Sequence, residues 1–512
     1  MASGWNDPLP EHLEGAARQN AWDRREFLRR SASTAGIALG AAAALSPGRV
    51  LAEALRAQRV AVPLGDAMPI DHFVILMMEN RSFDHYFGWL TKKFGPDKVR
   101  ASQHQSYKDK DGKNWETRNH KDILGDAAQW QGCGFGDPGH GWDNGRAQLA
   151  NGFMADGAGN DEFALGYFDE GELGFIHPAA DAFVVYDNYF ASLLGPTWPN
   201  RYYKWSGQSG GINNNTPNVA TAGNQWDCIF DRAWAANPAQ APGMGPTALY
   251  FNSDLPFSAT FGARAGKWTR PVDSFYALAA AGQLPNITIV DPPFRDGGGF
   301  NGDSADEHPL GDVRLGQAFM SDIAHAVMSS PNWSRTAMFI IYDEWGGFFD
   351  HVRPPRVSDE RASNDINADY SQMGFRTPTV TLSPYTQGVG LSTLGPFGHE
   401  SILRLIEQRY AFTPLCQRTR DAISIGESFN WQANPAADPP TLPSPSNIVS
   451  KPCALGGGDI SDAGVHDHDM AGLEELAHRF NVPVHEGKPH QIFQQPSKVQ
   501  QAYIPRNPQV AS

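Results

Sequence analysis

The chain has 512 residues, 41% of them hydrophobic and 19% charged, which is enough apolar material for a large core and excludes wholesale disorder. Its 41 basic and 56 acidic side chains leave a formal net charge of -15, which excludes nucleic-acid binding as the main function. With 52 glycines and 38 prolines it reads as long loops on a packed scaffold, not as a helical bundle or a repeat array.

The first element in chain order is a targeting segment. Asp23-Arg24-Arg25-Glu26-Phe27-Leu28-Arg29 is followed by an Ala/Gly-rich apolar run over 35–45, a break at Pro47-Gly48, and small residues at Ala52 and Ala54. Paired arginines, a mild apolar run and a small-residue cleavage region make a twin-arginine signal. Residues 1–55 are therefore expected to be a signal and linker, read by the twin-arginine export machinery. The destination is the periplasm, the cell envelope or the outside. The apolar run falls short of the roughly 18 residues a bilayer span needs, so the expected contact with membrane is peripheral.

Segments 70–78, 287–290, 337–342 and 379–382 are short, rich in Ile, Val or Phe, and bounded by Gly, Pro or acidic residues. They read as buried parallel strands, covered on both faces by helices such as 311–328 and 401–410. Alternating strands and helices predict an α/β sheet. Glu79-Asn80 follows the first strand, Asp291 the second, and Asp343-Glu344 the third. Ligands of open α/β sheets bind outside the carboxyl ends of strands, so the polar residues gather where a site belongs. Residues 86–183 read as a loop insertion over that site, and 206–275 look similar. A catalytic region over 56–433 is then followed by a proline-rich linker, 434–455, and a tail, 456–512. The tail carries His466-Asp467-His468-Asp469 and a helix over 471–480. Cys133, Cys228, Cys416 and Cys453 are widely spaced, which disfavours a zinc site built from them. They allow up to two disulfides, or four free thiols.

Several segments carry candidate chemistry. In Glu79-Asn80-Arg81-Ser82-Phe83-Asp84, a carboxylate beside an amide oxygen suits a hard cation. In Asp343-Glu344-Trp345-Gly346-Gly347, two adjacent acids call for a neutralising cation, and the glycines allow backbone to approach a ligand. Gly195-Pro196-Thr197-Trp198-Pro199-Asn200-Arg201 precedes a helix whose N-terminus, with Asn200 and Arg201, is suited to phosphate. Thr197 needs a metal or base to become a nucleophile. His140, His308, His351 and His399 are candidate general acids.

Together these segments resemble the signatures of the bacterial phosphoesterase family, which holds twin-arginine-exported phospholipases C and related acid phosphatases. The resemblance rests on Glu79-Asn80-Arg81-Ser82-Phe83-Asp84-His85-Tyr86-Phe87-Gly88, on 194–201, on His308-Pro309 with Asp312-Val313 and Gly316, and on Asp343-Glu344 with Gly346-Gly347 and Asp350-His351-Val352. It implies an alkaline-phosphatase-like α/β core with a mainly parallel sheet. It also implies Thr197 as nucleophile and one metal ion held by Glu79, Asn80, Asp343, Glu344 and the Thr197 oxygen. His140 and His308 are implied to bind phosphate or to protonate the leaving group. The oxygen ligands favour Ca²⁺, Mg²⁺, Mn²⁺ or iron over zinc. Trp345 and Gly398 depart from the family pattern, which leaves substrate specificity and the role of His399 open. The expected substrate is a phospholipid or another phosphate ester. A phospholipase C would place Trp130, Phe135, Trp142 and Phe153 at a lipid-facing rim, whereas a phosphomonoesterase of acid-phosphatase type would enclose a polar pocket. A secreted binding protein on the same scaffold is the non-catalytic alternative.

Overall fold

The computed structural model describes residues 61–126, 129–216, 223–294, 304–450, 470 and 472–485. The twin-arginine segment and the His466–Asp469 tract lie outside these residues. The central sheet has eight strands: β1 His72–Met78, β2 Val184–Tyr186, β3 Ala248–Asn252, β4 Thr269–Pro271, β5 Ile287–Asp291, β6 Thr336–Tyr342, β7 Val380–Leu382 and β8 Leu391–Ser392. Their order is β8-β2-β7-β6-β1-β5-β3-β4. Neighbours run parallel except at β7, which is antiparallel to both β6 and β2. The expected α/β class and mainly parallel sheet are what the chain forms.

Every residue of β1 is buried. Successive side chains of a strand point to opposite faces, so β1 feeds two cores. Val74, Leu76 and Met78 pack with Phe319, Met320 and Ile323 of helix α3 (Val313–Met328). Phe73, Ile75 and Met77 pack with Trp198, Tyr202 and Trp205 of α2 (Thr197–Ser206) and with Ile402, Leu405 and Ile406 of α4 (His399–Tyr410). Burial on both faces is why these strands read as continuous apolar runs rather than alternating ones.

Residues 206–275 are not the loop that their composition suggested. They supply β3 and β4, and the helix Ile229–Ala236. Neither strand contains an Ile or Val, and β4 includes an arginine and a proline, so neither has the apolar β-branched run that marks β1, β5, β6 and β7. The 86–183 insertion does contain regular pieces, among them a hairpin of Ser106–Lys108 with Asn114–Glu116 and the helix α1 (Trp142–Asn151). The proline-rich stretch after residue 434 has no helix or strand up to residue 450. It is nonetheless pinned to α3: Ser321 Oγ donates to the Pro443 carbonyl at 3.1 Å, and Leu442 and Ile448 enter the core. Helix α5 (Leu473–Phe480) buries Leu473, Leu476 and Ala477 in the other core. Cys133 is disulfide-bonded, while Cys228 and Cys416 are free, so at most one intrachain bridge forms instead of two. Cys453 lies outside the described residues. None of the described helices is long and apolar enough to cross a membrane.

Candidate active site

Strand order assembles the site. β1 lies between β6 and β5 and runs parallel to both, with Met78 opposite Tyr342 and Leu76 opposite Val290. Glu79-Asn80, Asp343-Glu344 and Asp291 therefore leave three adjacent strands at one edge, as the carboxyl-end rule expects. Asn80 is left-handed (φ 56), and its N–H donates to Asp343 Oδ1 at 2.9 Å. Gly346 (φ 61) lets the next turn lie on this backbone, since a Cβ there would stand 2.0 Å from the Asn80 carbonyl oxygen. The close approach that the glycine permits is thus to Asn80, not directly to a ligand.

Thr197 is the first residue of α2 and is fully buried. Its Oγ1 lies 3.3 Å from Glu79 Oε2 and 3.4 Å from Asn80 Oδ1. Hydroxyl hydrogen bonds centre near 2.7–2.8 Å, so these oxygens surround a point more than they bond one another. Asp343 Oδ2 is buried with no hydrogen-bond partner among the described residues. Burial pushes the carboxyls of Glu79 and Asp343 upward, with Arg201 opposing the shift in both. An oxygen-only cage of carboxylates, an amide and a hydroxyl, with an unsatisfied buried oxygen, fits a hard divalent ion. Glu344 is engaged in its own turn: its Oε2 accepts from the Gly346 N–H at 2.8 Å, and its carbonyl from the Arg81 N–H at 3.1 Å.

Asn200 and Arg201 have occupations other than phosphate binding. The Asn200 Nδ2 faces the carbonyls of Leu193, Gly195 and Pro196, and its Oδ1 accepts from the Leu193 N–H at 2.9 Å. It staples the loop that carries Thr197. Arg201 is fully buried; its Nε donates to Glu79 Oε1 at 2.8 Å and its Nη1 to Asp291 Oδ1 at 3.0 Å. It therefore braces the cage from behind. At the start of α2, the Trp198 N–H donates to Asn215 Oδ1 at 2.9 Å, and Pro199 has no N–H. This helix end has fewer amides to offer an anion than its sequence implied.

His140 and His308 come together, their ring centroids 5.8 Å apart. His140 Nδ1 donates to the Pro138 carbonyl at 2.8 Å, leaving Nε2 to accept from Asn80 Nδ2 at 3.5 Å. His308 Nδ1 donates to the Pro309 carbonyl at 3.2 Å, and Nε2 is the nitrogen on the Asp137 side. Asp137 Oδ2 stands 3.9 Å from His308 Nε2 and 3.9 Å from His140 Nδ1. Sequence reasoning missed Asp137, although it lies three residues before His140 in the same short segment. Glu307 was also missed. It is left-handed (φ 72), and its carboxylate accepts from Tyr86 at 2.8 Å, Tyr342 at 2.5 Å and Gln317 at 2.8 Å. That anchor fixes the backbone immediately before His308. Burial carries the Glu307 carboxyl to about 7.

The other two histidines are elsewhere. His399 Nε2 donates to the Asp343 carbonyl at 2.8 Å, and Nδ1 accepts from Tyr189 Oη at 3.0 Å. Burial lowers its pKa to about 3, so it is a neutral prop under the Asp343 turn. His351 pairs through Nδ1 with Asp84, which also meets Arg376 at 3.0 Å; Arg376 in turn binds Asp350 at 2.9 Å. The Ser102 N–H donates to Asp84 Oδ1 at 3.0 Å, which ties the insertion to this separate ion network. Trp345 is buried, with Nε1 donating to Gln148 at 2.8 Å. Among the expected rim aromatics, Phe153 is core, Trp130 stacks on Phe168, Phe135 stacks on Phe163, and Trp142 lies against Tyr370.

The family model described as "Phosphoesterase family" matches residues 70–413. The chain is 29% identical over 456 residues to the "Non-hemolytic phospholipase C" of Burkholderia pseudomallei, covering 76% of this chain and 61% of that one. It is 28% identical over 445 residues to "Phospholipase C B" of Mycobacterium tuberculosis, covering 74% of this chain and 81% of the relative. "Non-specific phospholipase C1" of Arabidopsis thaliana is 30% identical over 347 residues, covering 62% of this chain and 61% of its own length. The chain thus spans 61% of the first and third of these relatives. The match runs from β1 through α4 and takes in the oxygen cage, Thr197 and both site histidines. The chain belongs to the phosphoesterase family.

Proposed function

We propose that the protein is an exported, metal-dependent phosphodiesterase of phospholipase C type, with Thr197 as its nucleophile. The observation that carries this reading is the buried Thr197 hydroxyl at the edge of an all-oxygen cage, 3.3 Å from Glu79 and 3.4 Å from Asn80. Glu79, Asn80, Asp343, Glu344 and Thr197 would hold the ion, Glu344 through the oxygen that does not accept from the Gly346 N–H. When bound, a hard divalent ion lowers the pKa of the Thr197 hydroxyl and offsets charge on the phosphoryl oxygens. Thr197 Oγ1 enters as the alkoxide, its proton already lost to solvent, and forms a bond to phosphorus as the bond to the leaving alkoxide breaks. His308 Nε2 carries the proton that the alkoxide takes, and Asp137 supports its charged form. His140, beside the Asn80 amide, would donate to a phosphoryl oxygen from Nε2 once that nitrogen is protonated. Water then attacks the phospho-threonine, His308 takes its proton, and Thr197 is restored.

The names of the relatives favour a phospholipid diester over a monoester. The twin-arginine segment favours export in the folded state. A paired assay tests the substrate. The purified chain is given phosphatidylcholine vesicles, with diacylglycerol followed, and separately p-nitrophenyl phosphate. Diacylglycerol release with little monoester turnover is expected. Monoester turnover alone would make the protein a phosphatase, and turnover of neither in the metal-loaded protein would favour a binding role.

A further inference from the structure

We propose that Asp291 is a positioning residue for the metal cage: it fixes Arg201, and Arg201 fixes Glu79. This rests on the reading of Glu79 as a metal ligand. Asp291 ends β5, next to β1, so it leaves the sheet beside Glu79. Its carboxylate is fully buried and takes three donors. Arg201 Nη1 and Lys204 Nζ each reach Oδ1 at 3.0 Å, and Tyr250 Oη reaches Oδ2 at 2.9 Å. Tyr250 comes from β3, the strand on the other side of β5. Burial opposes the charged form of Asp291, but Lys204 and Arg201 overcome it and hold the carboxyl below its ordinary value.

Arg201 and Lys204 stand three residues apart on α2, so they share a helix face. Two buried cations at that spacing repel unless a carboxylate lies between them. Asp291 is that carboxylate. With Lys204 neutralised, Arg201 is free to direct Nε and Nη2 at Glu79 Oε1, the Nε contact at 2.8 Å. The clamp locks one oxygen of Glu79 and leaves the other, Oε2, presented to Thr197 at 3.3 Å. Phe294 covers the guanidinium, its ring centroid 4.6 Å away. Partners of this kind are worth about 10- to 100-fold in metal affinity.

The test is Mn²⁺ titration of metal-stripped full chain, read by the free-ion electron paramagnetic resonance signal, so it does not depend on turnover. Asp291→Asn keeps the shape and removes the charge. It is expected to weaken Mn²⁺ binding by roughly 10- to 100-fold, and Glu79→Gln to weaken it at least as much. Wild-type Mn²⁺ affinity in Asp291→Asn, with Glu79→Gln weakened, would overturn the positioning role while sparing the ligand. Wild-type affinity in both would remove the ligand reading itself. Tyr250→Phe is the second variant, needed if Asp291→Asn does not fold. It deletes one donor to Asp291 and should weaken Mn²⁺ several-fold, and unchanged affinity in that folded protein would equally overturn the proposal.

Discussion

Replacing Gly346 by alanine tests whether the turn after β6 sets the geometry of Asn80. The new Cβ would sit 2.0 Å from the Asn80 carbonyl oxygen, whereas real Cβ contacts stay above 3.0 Å, so a shift of about 1.0 Å is required. The obstacle is backbone, not a pliable side-chain end. Asn80 has little freedom to yield, being left-handed at φ 56 and tied to Asp343 Oδ1 at 2.9 Å. The left-handed φ of 61 at position 346 costs alanine about 1 kcal/mol by itself. Forced repacking adds roughly 1–3 kcal/mol. A displacement of about 1 Å in a catalytic constellation typically costs on the order of 100-fold in rate. Gly112→Ala is the control, with φ 81 and nothing within 4 Å of its Cβ. It should lose only the conformational share, about 1 kcal/mol, at full activity. Urea unfolding and turnover of bis(p-nitrophenyl) phosphate measure both quantities. Equal losses in the two variants, with Gly346→Ala turning over normally, would refute the reasoning.

Thr197→Ala should lower kcat by roughly 10³-fold or more while the chain stays folded, whereas Thr197→Ser should keep a measurable part; a threonine-independent rate would end the nucleophile assignment. Asp137→Asn should slow turnover by about 10- to 100-fold, and much less so in a His308→Asn background, because the two act through one proton; full additivity in that cycle would separate them. Acid stability follows from buried histidines. His177 is driven by burial to about 3; its Nδ1 accepts from the Gly171 N–H at 3.2 Å and its Nε2 meets the Tyr86 carbonyl at 2.8 Å. The unfolded chain protonates this imidazole near 6.5 and the folded chain does not, so its contribution is complete above pH 6.5 and declines as pH falls, by about 1.4 kcal/mol per pH unit. His177→Asn should make the fall in stability from pH 6.5 to 5 shallower by that slope; identical slopes in the two proteins would sink the assignment.

What was legible in the sequence was local. β1 and β6 announce themselves because burial on both faces demands uninterrupted apolar runs, and the acids that follow are conspicuous against them. The family signatures pointed to Thr197, Glu79, Asn80 and Asp343, and the structure does bring those four together. The errors share a different cause. Arg201 and Asn200 sit on a helix beside a suspected nucleophile, where exposed side chains would bind phosphate. Nothing in the local pattern says that this part of α2 faces the sheet, with Arg201 directed at Glu79 and Asp291 and Asn200 at its own loop. β3 and β4 escaped because neither contains an Ile or Val, and β4 carries an arginine and a proline, whereas the equally short β5 and β7 are rich in β-branched residues. Asp137 lay in plain view before His140, but its meaning depends on His308 lying opposite, 171 positions later in the chain.

That dependence on strand order explains how the site tolerates its own charge. Glu79, Asp343 and Asp291 leave neighbouring parallel strands, so the sheet forces three carboxylates to one edge. Arg201 and Lys204 on α2 answer two of them from below. Both cations lie on the Glu79–Asp291 side, and Asp343 Oδ2 is left facing the cage without a hydrogen bond among the described residues. The remaining negative charge is therefore concentrated at the oxygens around Thr197. A third protein cation placed there would satisfy the carboxylates and close the site; among the described residues none enters the oxygen cage, and on the proposed reading a divalent ion completes the charge balance beside the Thr197 hydroxyl.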